Sequence, residues 1–280
     1  MADRGPEDVD ETCALLADGD LVLVQSLPWS SNGTWLASVS DGERGVYAVY
    51  KPRRAERPLW DFPTGTLCLR EMSAFVISHA LGWDLVPPTV LRDGPYGPGS
   101  VQRFIPHDPE CHFLAMVDPD PVFTRRVAAF DVVINNADRK SGHVLRAADG
   151  RLWAIDHGIA LHTQPKLRTV IWEHAGEPVP ADILDDLAGL VVALGGSDPR
   201  MAAGDGGEAG DGSGGDVAGD EAGGSGAGRG GAGPGLRAAL SDLLSPGEIG
   251  ALRTRARRLV RQGVFPGADP RQRMIPWPPV

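Results

Sequence analysis

Two short stretches, Asn136-Ala137-Asp138-Arg139-Lys140-Ser141-Gly142-His143 and Ala154-Ile155-Asp156-His157-Gly158, decide the fold expected of this chain. The first follows an apolar run, and the second ends a short run of residues that favour a β-strand. An aspartate before a glycine is also a common turn, so the order and spacing of the stretches matter more than either alone. Phosphoryl transfer needs one aspartate to orient a hydroxyl and another to hold a metal ion. We therefore assign Asp138 to the first role and Asp156 to the second.

A lysine strand and a glutamate helix are predicted upstream. Residues 46–52 carry β-branched and aromatic side chains that favour a strand, and a proline ends it just after Lys51. Apolar residues recur with helical spacing between Leu67 and Leu81, which predicts a helix that carries Glu71. A glutamate on this helix would hold Lys51 toward nucleotide phosphates. Each residue alone would be read as a solvated charge, but their position before the two aspartate loops favours a site.

A small polar loop precedes the lysine strand. Ser31, Asn32, Gly33 and Thr34 form a stretch whose backbone N–H groups could approach an anion. The stretch is neither a Walker loop nor the triple-glycine loop of protein kinases. An ordinary hairpin turn is the alternative, so its assignment to phosphate binding depends on its position before the strand.

The ordered segments resemble the phosphatidylinositol 3-/4-kinase-like branch of the protein-kinase superfamily, chiefly type II phosphatidylinositol 4-kinases and an actinobacterial family carrying that domain. The matching segments are residues 30–34 as phosphate loop, 50–52 as lysine strand, 71–74 as glutamate helix, 101–105 as interlobe hinge, 138–139 as catalytic loop and 155–158 as metal loop. The resemblance implies an α+β, bilobal protein-kinase-like fold. It would have a small antiparallel-sheet N-lobe and a mainly helical C-lobe.

The resemblance also implies an activity. The expected protein is an ATP-dependent phosphotransferase that moves the γ-phosphate to an alcohol acceptor, which would be an inositol lipid, a small molecule or a protein serine. The implied nucleotide-binding residues are Ser31, Asn32, Gly33, Thr34, Lys51, Glu71, Gln102 and Phe104; the catalytic residues are Asp138, Arg139 and Lys51; and the ligands of Mg²⁺ or Mn²⁺ are Asp156 and His143, with Asn136 as an alternative to His143. Arg139 would either anchor the catalytic loop or meet the γ-phosphate.

His143 departs from the family pattern, which has asparagine at this position as a second metal ligand. Mg²⁺ prefers oxygen ligands, so an imidazole is a poor replacement. Three outcomes stay open: catalysis with one metal ion, a preference for Mn²⁺, or a pseudokinase that binds nucleotide as a regulatory module without transfer. His143 could also simply pack within the loop. His157 is expected to be structural rather than a base.

Length and composition predict one two-lobed domain. Its expected parts are a disordered N-terminus (1–12), an N-lobe (13–101), a hinge and C-lobe (102–201), a Gly/Asp-rich insertion (202–235), and C-lobe helices with a Pro-rich tail (236–280). The insertion holds 16 of the 37 glycines, and it has almost no large apolar residue with which to offset the entropy of ordering. It is therefore predicted to be a disordered tether.

Charge and cysteine content limit the classes of partner. The net charge of −10 argues against a nucleic-acid binder. Cys13, Cys68 and Cys111 lack the spacing of metal ligands and are expected to be reduced thiols of a cytoplasmic protein. The polar N-terminus predicts no signal peptide, and no apolar run reaches the roughly 20 residues of a membrane span.

A basic amphipathic helix is predicted over residues 246–262. Ser245 and Glu248 have the spacing of a capping box at its start. Five arginines, Arg253, Arg255, Arg257, Arg258 and Arg261, are expected on the face opposite an apolar stripe. Such a face could make a peripheral contact with an acidic partner or a membrane surface. The alternative is a solvated face on a helix that packs against its own domain.

Overall fold

The computed structural model describes residues 8–27, 33–201, 233, 235–269, 271 and 273–279. Its elements are α1 (Val9–Asp18), β1 (Asp20–Ser26), β2 (Trp35–Ser40), β3 (Gly45–Pro52), α2 (Leu67–Ala80), β4 (Thr89–Gly94), β5 (Gly97–Arg103), α3 (Pro121–Ile134), β6 (Val144–Arg146), β7 (Leu152–Ala154), α4 (Ala181–Ala193), α5 (Leu236–Ser241) and α6 (Pro246–Gln262). The predicted α+β architecture is confirmed: a small lobe is built on an antiparallel sheet, and a larger lobe is mainly helical. Of the predicted insertion, only Gly233 and Gly235 lie among the described residues.

The sheet of the small lobe has the strand order β1-β2-β3-β5-β4. Ala48 and Tyr50 of β3 are fully buried and pack with Leu16 of α1 on one face. Because side chains alternate along a strand, Val49 and Lys51 lie on the opposite face. Leu36 of β2 pairs with Val49 in the antiparallel register, so this face carries apolar side chains beside the lysine.

Helix α1 corrects the prediction of a disordered N-terminus over residues 1–12. The side chain of Asp8 accepts hydrogen bonds from the backbone N–H groups of Asp10 (2.9 Å) and Glu11 (3.3 Å), and the helix begins at Val9. Asp10 and Glu11 lie in the first helical turn, where carboxylates are favourable. Leu16 then packs the helix against the sheet. Residues 1–7 lie outside the described part of the chain.

Helix α2 is fixed to the large lobe through Arg70, which is 1% exposed. Its guanidinium donates to the carbonyl of Ala160 at 2.7 Å and forms an ion pair with Glu248 at the start of α6. Glu248 also accepts a hydrogen bond from the Ser245 backbone at 2.9 Å, as the predicted capping box requires. The two lobes are therefore joined directly beside Glu71, the residue that follows Arg70.

The arginines of α6 do not form a continuous outer face, which corrects that prediction. Arg253 donates to the carbonyl of Gly195 at 3.1 Å, just beyond the end of α4. Arg255 donates to the carbonyls of Val133 (2.7 Å) and His162 (3.1 Å). The carbonyls of Gly195 and Val133 lie just beyond and at helix C-termini, where carbonyls lack partners within the helix. Only Arg258 and Arg261 of the five are exposed, whereas the predicted apolar stripe is buried.

The Pro-rich tail lies against the large lobe. The carbonyl of Met274 accepts hydrogen bonds from the Thr169 N–H at 3.0 Å and the Trp172 side chain at 3.3 Å. The carbonyl of Pro279 accepts one from the Ser141 N–H at 2.8 Å. The tail thus contacts the catalytic loop and the segment that follows the metal loop. Within the described ranges, no helix is both long and apolar enough to span a bilayer.

Candidate active site

A cleft between the lobes, with a volume of about 150 Å³, brings together most of the predicted site residues. Its walls include Gly33, Thr34, Lys51, Glu71, Asp138, Lys140, His143 and Asp156. Two larger cavities, of about 460 and 670 Å³, contain neither Asp138 nor Asp156. The small cleft is therefore the candidate site on the basis of its chemistry.

Lys51 lies between two carboxylates. Its Nζ is 2.5 Å from Oε1 of Glu71 and 3.0 Å from Oδ1 of Asp156. Oε2 of Glu71 accepts a hydrogen bond from the His157 N–H at 3.0 Å, so the glutamate also fixes the metal loop. Burial alone would lower the pKa of Lys51, but Asp156 and Glu71 raise it above its ordinary value. Lys51 is therefore a permanent cation directed at the cleft.

Asp156 is held in an unusual backbone conformation. Its φ is 60°, in the left-handed region, which costs free energy in a residue other than glycine and is often found at functional sites. The side chain is half-exposed, and its Oδ2 is 3.2 Å from Nε2 of His143. Burial opposes ionisation, but the charge of Lys51 holds the pKa of Asp156 well below its ordinary value. The carboxylate is therefore anionic and turned toward the cleft.

Asp138 lies on the large-lobe side of the cleft. Its N–H donates to Oδ1 of Asn136 at 3.0 Å, and its Oδ2 is 3.4 Å from Nζ of Lys140. Burial raises the pKa of Asp138 to about 6, against the lowering effect of Lys140. A carboxylate with a pKa close to neutrality can accept a proton from an alcohol more readily than an ordinary aspartate.

Arg139 is a buried anchor, which is the first of its two predicted roles, and its burial corrects the assignment as a catalytic residue that meets the γ-phosphate. Its side chain is fully buried and pairs with Asp131 at 3.0 Å. It also donates to the carbonyl of Ile155 at 2.8 Å and contacts Nε2 of His157 at 2.6 Å. Burial lowers the pKa of His157, which stays neutral and structural, in agreement with the sequence interpretation.

Asn136 is likewise part of this anchor and not of a metal site. The residue is fully buried, and its Nδ2 donates to Oδ1 of Asp131 at 2.9 Å. Asp131 also accepts from the Thr169 hydroxyl at 3.1 Å. Sequence reasoning missed Asp131, although a single carboxylate within the otherwise apolar second half of α3 was a usable signal.

The hinge is arranged differently from the prediction. The side chain of Gln102 is buried and donates to the Thr89 hydroxyl at 2.9 Å. The N–H of Phe104 donates to the Tyr47 carbonyl at 2.9 Å. The prediction gave the adenine contact to the backbone of residues 102–106. Strand β5 instead continues to Arg103 and pairs Gln102 with Val49 and Thr89, so this part of the backbone belongs to the sheet.

The sequence did not predict that Lys140 lines the cleft, nor that an apolar cluster forms around Leu145. Lys140, two positions after Asp138, lines the cleft, and its charge in that position was a readable signal. Ile105 packs with Leu145 and Trp153 in a small apolar cluster that Ile155 joins. These apolar residues had no distinguishing pattern in the sequence, since three separate segments supply them.

The phosphate loop is described only in part. Ser31 and Asn32 lie outside the described residues, whereas Gly33 and Thr34 line the cleft. A Cβ atom at Gly33 would lie 2.8 Å from Cβ of Ala55, which is too close for any other residue without a backbone shift. The position therefore requires glycine for packing.

A divalent cation would need ligands beyond the protein. In the part of the chain that the structure describes, no three His, Cys, Asp or Glu side chains form a group able to hold a metal ion. Mg²⁺ is commonly bound by one or two carboxylates together with substrate phosphates. The single half-exposed carboxylate of Asp156, beside Lys51, fits a cation that arrives with a nucleotide.

The chain was compared with known protein families, sequences and structures. No protein-family model matches the chain. Protein Rv2133c of Mycobacterium tuberculosis (strain ATCC 25618 / H37Rv) is 37% identical over 304 residues, which cover 96% of this chain and 95% of that protein. Phosphatidylinositol 4-kinase gamma 4 of Oryza sativa subsp. japonica is 27% identical over 53% of this chain and 33% of its own length.

Two further proteins are similar at greater distance. Phosphatidylinositol 4-kinase gamma 1 of Arabidopsis thaliana is 27% identical over 46% of this chain and 28% of its own length. The crystal structure of the Helicobacter pylori proinflammatory kinase CtkA overlaps 89% of this chain and 94% of that chain, with a TM-score of 0.48 and 13% identity.

Proposed function

We propose that this chain, which belongs to the same family as Protein Rv2133c, is an ATP-dependent phosphotransferase with an alcohol acceptor. The observation that carries the proposal is the position of Lys51 between Glu71 and Asp156, in the same cleft as Asp138. A cation for the phosphates, a carboxylate for a metal ion and a second carboxylate for a hydroxyl are what phosphoryl transfer requires. The distant similarity to plant phosphatidylinositol 4-kinases supports the same class of reaction.

The nucleotide would bind on the small-lobe side of the cleft. Lys51 would bind its phosphates, and Glu71 would keep the lysine in place. Asp156 would hold Mg²⁺, which neutralises phosphate charge when it is bound. Leu36 and Val49, on the same sheet face as Lys51, are suited to cover the adenine ring, and the apolar cluster around Leu145 would lie on its other side.

The acceptor would bind near Asp138. Its carboxylate would orient the hydroxyl and take its proton as the oxygen attacks the γ-phosphorus, while the bond from that phosphorus to the β–γ bridging oxygen breaks and ADP leaves. The ammonium of Lys140, 3.4 Å from that carboxylate, would stabilise negative charge on the transferred group. Arg139 would act only by holding the loop, through Asp131.

Binding of Mg·ATP to the purified protein tests this proposal. A ligand that binds only the native state raises the thermal stability by mass action, so millimolar Mg·ATP should raise the melting temperature of the wild type. Lys51→Ala should reduce the ATP-induced shift strongly, and Arg258→Ala, an exposed cation of α6, is the matched control. For each variant, the melting temperature with Mg·ATP is compared with that of the same variant without it. This is needed because Lys51→Ala removes the ion-pair partner of Glu71 and so changes the stability of the ligand-free protein. No shift in the wild type would refute the nucleotide site.

A second candidate is a pseudokinase that binds nucleotide without transferring phosphate. The observation in its favour is that both oxygens of Asp156 already contact the protein, at Lys51 and His143. Release of phosphate from ATP, compared in Mg²⁺ and Mn²⁺ without added acceptor, separates the two. Nucleotide binding without phosphate release or transfer to any alcohol tested would favour the pseudokinase.

A further inference from the structure

The ring of His143 is held on both sides. The backbone N–H of Lys140 donates to its Nδ1 at 3.4 Å, and the N–H of His143 donates to the Lys140 carbonyl at 3.1 Å, across the short turn Ser141–His143. On the other side, Nε2 lies 3.2 Å from Oδ2 of Asp156. The side chain is 13% exposed, and its own carbonyl accepts from Arg139 at 3.3 Å.

These two contacts determine which nitrogen carries the proton. A neutral imidazole has one N–H donor and one acceptor nitrogen. Because Nδ1 accepts from Lys140, it has no proton, so Nε2 carries it and donates to Asp156. The opposite tautomer would set two N–H groups against each other at Lys140 and two lone pairs against each other at Asp156. Both neighbours therefore favour the Nε2–H form.

A histidine binds a metal ion through an unprotonated ring nitrogen. In His143 the unprotonated nitrogen faces the backbone of its own turn, and the nitrogen that faces the cleft carries a proton. The ring is thus arranged to donate a hydrogen bond to the carboxylate of Asp156, which is the proposed metal ligand. In metal sites, residues that do not bind the metal commonly orient its ligands by such hydrogen bonds.

We propose that His143 is a positioning residue that holds Asp156 through Nε2–H, and that the nucleotide complex binds one divalent cation rather than two. This inference rests on the proposed function, since the cation enters with the nucleotide. Lys51 holds Oδ1 of Asp156 at 3.0 Å and His143 faces Oδ2. Together they fix a carboxylate whose backbone, at φ 60°, is strained.

Counting bound Mn²⁺ in the full chain tests the number of cations. The protein is titrated with Mn²⁺ in the presence of a non-hydrolysable ATP analogue, and free Mn²⁺ is measured by electron paramagnetic resonance. The wild type should bind one Mn²⁺ per nucleotide. His143→Ala should also bind one, with an affinity roughly 10-fold lower, because an outer hydrogen bond to a ligand is lost. Two ions in the wild type, with one lost in His143→Ala, would overturn the inference.

Two variants serve as controls. His143→Gln keeps an N–H donor on a side chain of similar reach and should restore most of the lost Mn²⁺ affinity. His79→Ala removes a half-exposed histidine that pairs with Asp84, and it should change neither the number nor the affinity. An affinity of His143→Ala equal to that of wild type would show that His143 does not position Asp156.

Nitrogen-15 NMR of the histidine side chains tests the tautomer without any ligand. The resonances of His143, identified by their loss in His143→Gln, should show a protonated Nε2 and an unprotonated Nδ1. The reverse pattern would overturn the inference even if one Mn²⁺ binds. If the wild type binds nucleotide with two Mn²⁺, the inference is wrong but the proposed function stands. If the wild type binds no nucleotide, the proposed function is wrong as well.

Discussion

Replacing Asp131 with asparagine should destabilise the protein more than any surface substitution. Asp131 is fully buried and accepts hydrogen bonds from Arg139, Asn136 and Thr169. Asparagine keeps the shape but removes the charge and presents an NH₂ group to Arg139 and to either Asn136 or Thr169. The guanidinium of Arg139 is then a buried charge without its counter-ion, which costs about 3–5 kcal/mol. Since domains are stable by about 5–15 kcal/mol, this is a large share of the total.

Urea unfolding followed by circular dichroism measures the effect. With a slope of about 3 kcal/mol per M, a loss of 3 kcal/mol lowers the midpoint by about 1 M. Asp185→Asn is the matched control, because Asp185 pairs with Arg200 at 2.7 Å but is 65% exposed, and its midpoint should equal that of the wild type. An Asp131→Asn midpoint that coincides with the control would refute the role of Asp131 as the anchor of the catalytic loop.

The remaining predictions concern the cleft and the insertion. Asp138→Asn should remove most turnover and leave ATP affinity nearly unchanged, whereas Asp156→Asn should weaken metal-dependent ATP binding; isothermal titration beside a turnover assay separates the two. Since the base form of Asp138 is the carboxylate and its pKa is raised to about 6, kcat/KM should fall as the pH drops through about 6, and a profile flat from pH 5 to 8 would exclude it as the base. His143→Asn should keep or raise Mg²⁺-supported activity, because asparagine offers an oxygen that Mg²⁺ prefers together with an N–H; loss of activity in Mg²⁺ would contradict this. Deletion of residues 205–232 should leave the melting temperature and nucleotide binding nearly unchanged, because closure entropy varies slowly with loop length; loss of folded protein would contradict this.

The sequence predicted elements whose signals are local. The capping box at Ser245 and Glu248 and the strand that ends just after Lys51 depend on neighbouring residues, and both lie where they were expected. Helix α1 was missed, although Asp10 and Glu11 follow the N-cap Asp8 in the way that is typical of a helix start. The same carboxylates favour a helix once Leu16 has a sheet to pack against.

The roles of single polar residues depended on contacts distant in sequence. Arg139 was expected to be able to reach a phosphate, but Asp131 of α3 draws it into the core. The backbone at Gln102 was assigned to the nucleotide, but Gln102 pairs with Val49 and Thr89 on the two neighbouring strands of the sheet. Because an exposed and a buried polar residue look alike in a sequence, only the packing of α3 and β4 distinguishes them.

The contacts of Arg70 that hold α2 against the large lobe have a consequence for the design of inhibitors. Rotation of this helix away from the cleft would strip a buried guanidinium of both Glu248 and the Ala160 carbonyl, at a cost of about 3–5 kcal/mol. We therefore expect the rear wall beside Glu71 to keep one shape. A compound whose binding requires α2 to move away from the cleft should therefore bind this protein poorly.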